Sequence, residues 1–316
     1  GIIDDHVHFR DPGLTHKADI LTESRAAAAG GVTSIMDMPN TNPLTVTLDA
    51  LNAKLDLLNE KCIVNHSCYF GATNNNYTEF DKLDKHRVCG IKLFMGSSTG
   101  NMLVDKMNSL LNIFNGTDML IAAHCEDQET IKNNIEKYKQ KYKGADDIPV
   151  SAHPSIRSVP ACYASSELAV RLAKIAGARL HILHVSTAKE LQLFSDEPLA
   201  SKNITAEACV AHLLFTLTHY NSLGTRIKCN PAVKRKTDRE ALRAAVNSGL
   251  IDVIATDHAP HLLNEKEGGA LKAMSGMPMI QFSLVSMLEL VDEGVFSLET
   301  VVQKMCHAPA RIYGIC

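Results

Sequence analysis

The sequence lacks the marks of several large functional classes. Its 316 residues carry 32 basic and 35 acidic side chains, for a formal net charge of −3 and a pI near 6.6. That balance argues against a nucleic-acid surface or a basic membrane-binding face. No apolar run approaches the roughly 18 residues of a membrane span, and no basic-then-apolar leader opens the chain. The nine cysteines are odd in number and contain no CxxC pair, so they read as reduced thiols, not a disulfide framework or a zinc finger. Neither GxGxxG nor GxxxxGK[ST] follows the first strand-like run, which removes the dinucleotide and P-loop readings. No Pro/Gly-rich linker, low-complexity tract or repeat divides the chain. A soluble, cytoplasmic globular protein is expected, with room for one large core or two ordinary ones.

What is present is alternation. Short β-branched or apolar runs occupy 1–8, 32–38, 62–70, 88–95, 119–124, 180–185, 204–209 and 251–256. Helix-compatible stretches lie between them at 18–29, 46–58, 129–142, 160–175, 188–194 and 238–248. Thr47 and Thr187 are suitable N-caps, and Gly30-Gly31 and Gly177 follow helices where a left-handed residue is useful. Strand–helix alternation at this length means a parallel sheet covered by helices. Eight units fit an α/β fold of the (β/α)8 TIM-barrel type better than an open doubly wound sheet.

Chemistry in such a barrel sits at the carboxyl ends of the strands. The first run ends in Asp5-His6-Val7-His8-Phe9-Arg10, where alternation turns His6 and His8 to one face. If that face is the interior, two imidazoles converge as a metal site requires. Lys92 lies between Ile91 and Leu93, where a bare ammonium faces a desolvation penalty of several kcal/mol. It should therefore be paired, neutral or chemically changed, and carbamylation by CO2 would make it a carboxylate able to bridge two metal ions. His124 ends the fifth run and Asp257 follows the eighth. His181 and His184 are three apart and face opposite sides of a strand, so only one should point inward; His184, nearer the carboxyl end, is the choice. His66, His86, His153, His212, His219 and His307 lack such positions and read as structural or surface residues.

His6, His8, Lys92, His124, His184 and Asp257, in this order, resemble the amidohydrolase superfamily and its cyclic amidohydrolases, over nearly the whole chain. The resemblance implies that His6, His8 and Asp257 hold one zinc ion, that His124 and His184 hold a second, and that carboxylated Lys92 bridges them. Four further segments look like the dihydroorotase family: His8-Phe9-Arg10-Asp11-Pro12-Gly13, Asp37-Met38-Pro39-Asn40-Thr41-Asn42-Pro43, Lys228-Cys229-Asn230-Pro231-Ala232 and Asp257-His258-Ala259-Pro260-His261. By that resemblance Arg10, Asn40 and His261 bind the substrate's carboxylate and Asn230 contacts its ring. A planar guanidinium suits bidentate carboxylate binding; the bland alternative for Arg10 is a loop salt bridge with Asp11 or Asp19. Having Lys92 places the chain outside the branch that uses Asp as the bridge. Ala211-His212 stands where relatives often have two adjacent His, so His212 receives no role. Thr99 is a candidate in a loop covering the substrate.

The implied reaction is reversible hydrolysis of L-dihydroorotate to N-carbamoyl-L-aspartate, a step of pyrimidine synthesis, with Asp257 moving the proton from the attacking water to the ring nitrogen. A hydantoinase, dihydropyrimidinase or allantoinase would share fold and metals; a metal-free barrel paralogue serving as a scaffold is the reading from another class. A homodimer is the family expectation. Residues 1–316 are read as one catalytic domain. Because Gly1 starts at the first strand and Ala308-Pro309-Ala310-Arg311 lies close to the end, the expectation is a catalytic core whose flanking β-sandwich is largely absent from this chain.

Overall fold

A computed structural model describes residues 1–96 and 102–315; Thr99 lies outside them. Eight strands form one parallel sheet in sequence order: β1 Ile2–Val7, β2 Val32–Asp37, β3 Asn65–Gly71, β4 Val88–Phe94, β5 Ile121–His124, β6 Leu180–Ile182, β7 Ile204–Cys209 and β8 Val253–Ala255. The ring closes beyond β8, where Val7 bridges His258 and the His8 N–H donates to the His258 carbonyl at 2.7 Å. This is the (β/α)8 barrel, and among the described residues every named strand belongs to it.

The helices that cover the barrel form where an apolar stripe can be buried against the strands. In Leu48–Lys61, Leu51, Leu55 and Leu58 recur three and four residues apart and are buried, while Thr47 caps the first turn by accepting from the Ala50 N–H at 3.2 Å. Each such side chain contributes about 1.5–3 kcal/mol by leaving water. Gly31 and Gly177 both adopt the left-handed conformation, at φ 80° and 66°. The expected helix over 188–194 shrinks to a single 3-10 turn, Glu190–Leu193. The N-cap position falls to Lys189 and not to the expected Thr187, which accepts from the Glu190 N–H at 3.2 Å, while its hydroxyl and Ser166 turn the Glu190 carboxylate inward at 2.8 and 2.7 Å.

Two interiors result. The larger apolar layer lies between strands and helices. A smaller plug fills the barrel with Ile3, Met36, Tyr69, Ala122 and Leu183. Above the plug, at the carboxyl ends, the interior turns polar.

Candidate active site

Each inward residue reaches its position through a local device. The β1–β2 register slips between Asp4 and Val7, so Asp5 and His6 both turn into the barrel: Asp5 meets His181 of β6 and His6 meets Glu207 of β7. The following loop is fixed from β2, where the Asp37 carboxylate accepts from the Phe9 N–H at 2.9 Å and pairs with buried Lys54 at 2.8 Å. Among the described residues, three non-glycine residues have positive φ: Arg10 at 68°, His184 at 40° and Asp257 at 49°. Each such conformation costs on the order of 1–3 kcal/mol and persists only where the surroundings enforce it. All three face one cavity of about 420 Å³ at the strands' carboxyl ends, lined also by His6, His8, Asn40, Lys92, His124, Asn230 and His261.

His6 and His8 converge as alternation suggests. Their Nε2 atoms lie 3.2 and 3.1 Å from the same Asp257 oxygen. The far nitrogens are held: Nδ1 of His6 by Glu207 at 3.0 Å and Nδ1 of His8 by the Asn40 amide oxygen at 2.8 Å. Across the cavity, Nδ1 of His124 lies 2.8 Å from Nε2 of His184, and Nε2 of His124 lies 2.9 Å from Glu126. Burial pushes the His6 pKa down to about 3 and those of His8 and His184 well below the usual range. These are neutral imidazoles, the form that binds metal. Two ring nitrogens and a carboxylate oxygen within 4.8 Å of one another, with the far nitrogens engaged, fit a divalent ion of the zinc class. Lys92 is 1% exposed, with Nζ 4.6 Å above the Phe94 ring. Burial pushes its pKa down, and no carboxylate lies within ion-pair distance among the described residues.

The other wall carries Arg10. Its Nε donates to the Pro260 carbonyl at 3.1 Å, and Nη2 lies 3.1 Å from Nε2 of His261. The alternative salt bridges do not form: Asp11 pairs with Lys61 at 2.9 Å, and Asp19 caps its own helix through the Thr22 N–H at 2.8 Å. Arg10 is 8% exposed and has no ion-pair partner among the described residues. His261 is held between Lys17, 3.0 Å from Nδ1, and the Ser275 carbonyl, 3.0 Å from Nε2. Burial, Arg10 and Lys17 push its pKa down to about 3. Gly276, at φ 148°, permits the fit, since a Cβ there would lie 2.4 Å from the Ala259 carbonyl and 2.9 Å from the His261 ring. The Asn230 amide oxygen is buried with no partner among the described residues. Asn40, expected on a carboxylate, also orients His8.

Several residues escaped the sequence reading. His181 also points inward, contrary to expectation. Strand β6 ends at Ile182, and the left-handed turn at His184 breaks the alternation that assigned the two histidines to opposite sides. Glu207 and Glu126 hold the ligand-type histidines, and Arg157 pairs with Glu126. His153 lines the cavity while bonding the Cys229 carbonyl at 2.9 Å. His212 stays structural, 3.0 Å from the Pro231 carbonyl.

Residues 1–316 match the amidohydrolase family. The chain belongs to that family. A dihydroorotase from Halobacterium salinarum is 33% identical over 100% of this chain and 72% of its own length. Dihydroorotases from Methanosphaera stadtmanae and Geobacter sulfurreducens are each 32% identical, again over 100% of this chain, and 71% and 73% of their own lengths. Among solved structures, an L-hydantoinase (dihydropyrimidinase) from Arthrobacter aurescens superposes with a TM-score of 0.93 at 30% identity, covering 100% of this chain and 71% of that one. A D-hydantoinase at 21% identity and TM-score 0.87 shares the fold. This amidohydrolase is therefore a hydrolase acting on cyclic amides. No helix among the described residues is long and apolar enough to cross a membrane.

Proposed function

We propose that this amidohydrolase is a zinc-dependent dihydroorotase that interconverts L-dihydroorotate and N-carbamoyl-L-aspartate in pyrimidine synthesis, as a cytoplasmic homodimer. The observation that carries the reading is Arg10: a buried guanidinium on the cavity wall with no carboxylate partner of its own among the described residues. A buried charge needs a counter-charge, and a substrate carboxylate supplies one. Identity of 33% with a dihydroorotase supports the same choice.

His6, His8 and Asp257 would hold one zinc ion and His124 and His184 a second, and Lys92, once carboxylated by CO2, would supply a carboxylate ligand between these two sets. When bound, the metal polarises the scissile carbonyl and makes an attacking water acidic near neutral pH. Arg10 and His261 hold the exocyclic carboxylate with Asn40, and Asn230 contacts the ring, so the amide carbon is fixed against the attacking water. Asp257 accepts that water's proton as the new C–O bond forms. It returns the proton to the ring nitrogen as the C–N bond breaks. In the reverse direction Asp257 begins protonated, gives that proton to the carboxylate oxygen that leaves as water, and takes the ureido nitrogen's proton as the new C–N bond forms.

Replacing Arg10 with Gln tests the reading. Loss of one partner of a buried charge pair costs about 2–5 kcal/mol, so kcat/KM on L-dihydroorotate should fall by about 10² or more. An unchanged value would place the carboxylate elsewhere. Mass spectrometry of the zinc-loaded protein should find the added carboxylate on Lys92; a bare amine there would remove the bridge.

A further inference from the structure

One layer nearer the amino ends of the strands, three side-chain atoms face one another. Oδ2 of Asp5 lies 3.3 Å from Nε2 of His181, which lies 3.8 Å from Oε2 of Glu207. All three residues are 0% exposed, and each of these atoms lacks a hydrogen-bond partner among the described residues. Buried polar atoms are normally paired, and leaving one unpaired costs about 1–3 kcal/mol, more if it is charged. Three orphans turned toward one another share a missing partner.

The cluster does not satisfy itself. The 3.3 Å contact between Asp5 and His181 is within ion-pair distance and, against burial, holds the imidazole's pKa up, but it leaves both atoms outside ordinary hydrogen-bond geometry. A protonated His181 would answer Asp5 but still leave Oε2 of Glu207, 3.8 Å away, without a partner among the described residues. Of the remaining atoms, Oδ1 of Asp5 is also without a partner among the described residues, and those of His181 and Glu207 are committed. Nδ1 of His181 lies 2.7 Å from the Thr205 hydroxyl, which reaches the Leu180 carbonyl at 3.4 Å. With the hydroxyl proton on that carbonyl, the ring donates through Nδ1 and Nε2 faces the cluster, where a bound ion would take the place of the proton that Asp5 favours. Glu207 spends Oε1 on His6 and on the His184 N–H, leaving Oε2.

We propose that Asp5, His181 and Glu207 form a further, buried site for a divalent transition-metal ion, separate from the substrate cavity. Zinc bonds of about 2.0–2.2 Å in tetrahedral array place ligand atoms about 3.3–3.5 Å apart, near the 3.3 and 3.8 Å observed. Nitrogen mixed with carboxylate oxygen suits zinc, cobalt or manganese better than calcium or magnesium. Glu207 then joins the two sites, touching His6 with one oxygen and the buried ion with the other.

The test is anomalous diffraction at the zinc edge from crystals of the full chain grown with Zn2+. A peak is expected among Asp5, His181 and Glu207, besides density at His6, His8 and Asp257. Asp5→Asn should abolish the first peak and lower zinc per chain by about one equivalent in solution, leaving the second in place. An empty position in wild-type crystals whose His6–His8–Asp257 position is filled overturns the proposal, as does a peak that survives in D5N. If D5N does not fold, the wild-type map alone decides. Failure of the dihydroorotase reading would leave this peak untouched.

Discussion

Glu126 and Glu207 do the same job on opposite sides of the cavity, each holding the far nitrogen of an inward-facing histidine. Glu126 holds His124 at 2.9 Å and is paired with Arg157, and Glu207 holds His6 at 3.0 Å with no Lys or Arg in ion-pair contact among the described residues. Burial opposes the charge of both. Arg157 and His124 nevertheless bring Glu126 down to about 2, whereas burial and neighbouring Asp5 push Glu207 up. The first is a neutralised, self-contained support. The second is a carboxyl group whose ionisation its own protein neighbours oppose, with one oxygen left without a partner among the described residues. Similar contacts to a histidine can therefore conceal different electrostatic needs, and the partner of the partner decides which.

The largest expected effect falls where the β1 side converges. Replacing Asp257 with Asn keeps shape but removes the proton acceptor, so turnover should drop about 10³-fold or more, with metal at His124 and His184 retained. Near-normal rates would exclude Asp257 from the proton path. Next comes the comparison itself, in urea unfolding of the chelated protein. Glu126→Gln removes the carboxylate from the buried pair with Arg157 and should cost about 3–5 kcal/mol. Glu207→Gln replaces a carboxyl group whose ionisation burial and Asp5 already oppose and should cost far less, or stabilise. Equal losses would erase the distinction between the two sides. The smallest effect is expected for Asn40→Ala, which frees His8 and should weaken zinc binding about tenfold, while folding stability changes by only about 1 kcal/mol. Titration with Zn2+ reads the first quantity and urea the second.

Much of this site is legible in the sequence because position on a barrel strand carries chemical meaning. His6, His8, Lys92, His124, His184 and Asp257 stand at or near strand ends and meet in one cavity. What alternation does not report is where it fails. The register slip before Val7 turns Asp5 and His6 inward together. The left-handed turn at His184 lets His181 and His184 share the interior. Glu207 carried the same signal as Lys92, a charge between Ala206 and Ala208 in an apolar run, and weighing buried carboxylates like buried amines would have found it. Arg157 had no such signal: it lies between the short helix His153–Ile156 and the helix Val159–Ala176, and only the folded chain brings it to Glu126. The stretch at 188–194 collapsed to one turn because Glu190 is drawn to Thr187 and Ser166.

The central claim is that Arg10 makes this cavity a site for a ring bearing a carboxylate. Initial rates of the zinc-loaded protein on L-dihydroorotate, dihydrouracil, hydantoin and allantoin, assayed side by side, test it most directly. The account predicts that kcat/KM for L-dihydroorotate exceeds the others by about 10² or more, and that R10Q removes this advantage. A faster reaction on any of the uncharged rings would contradict it.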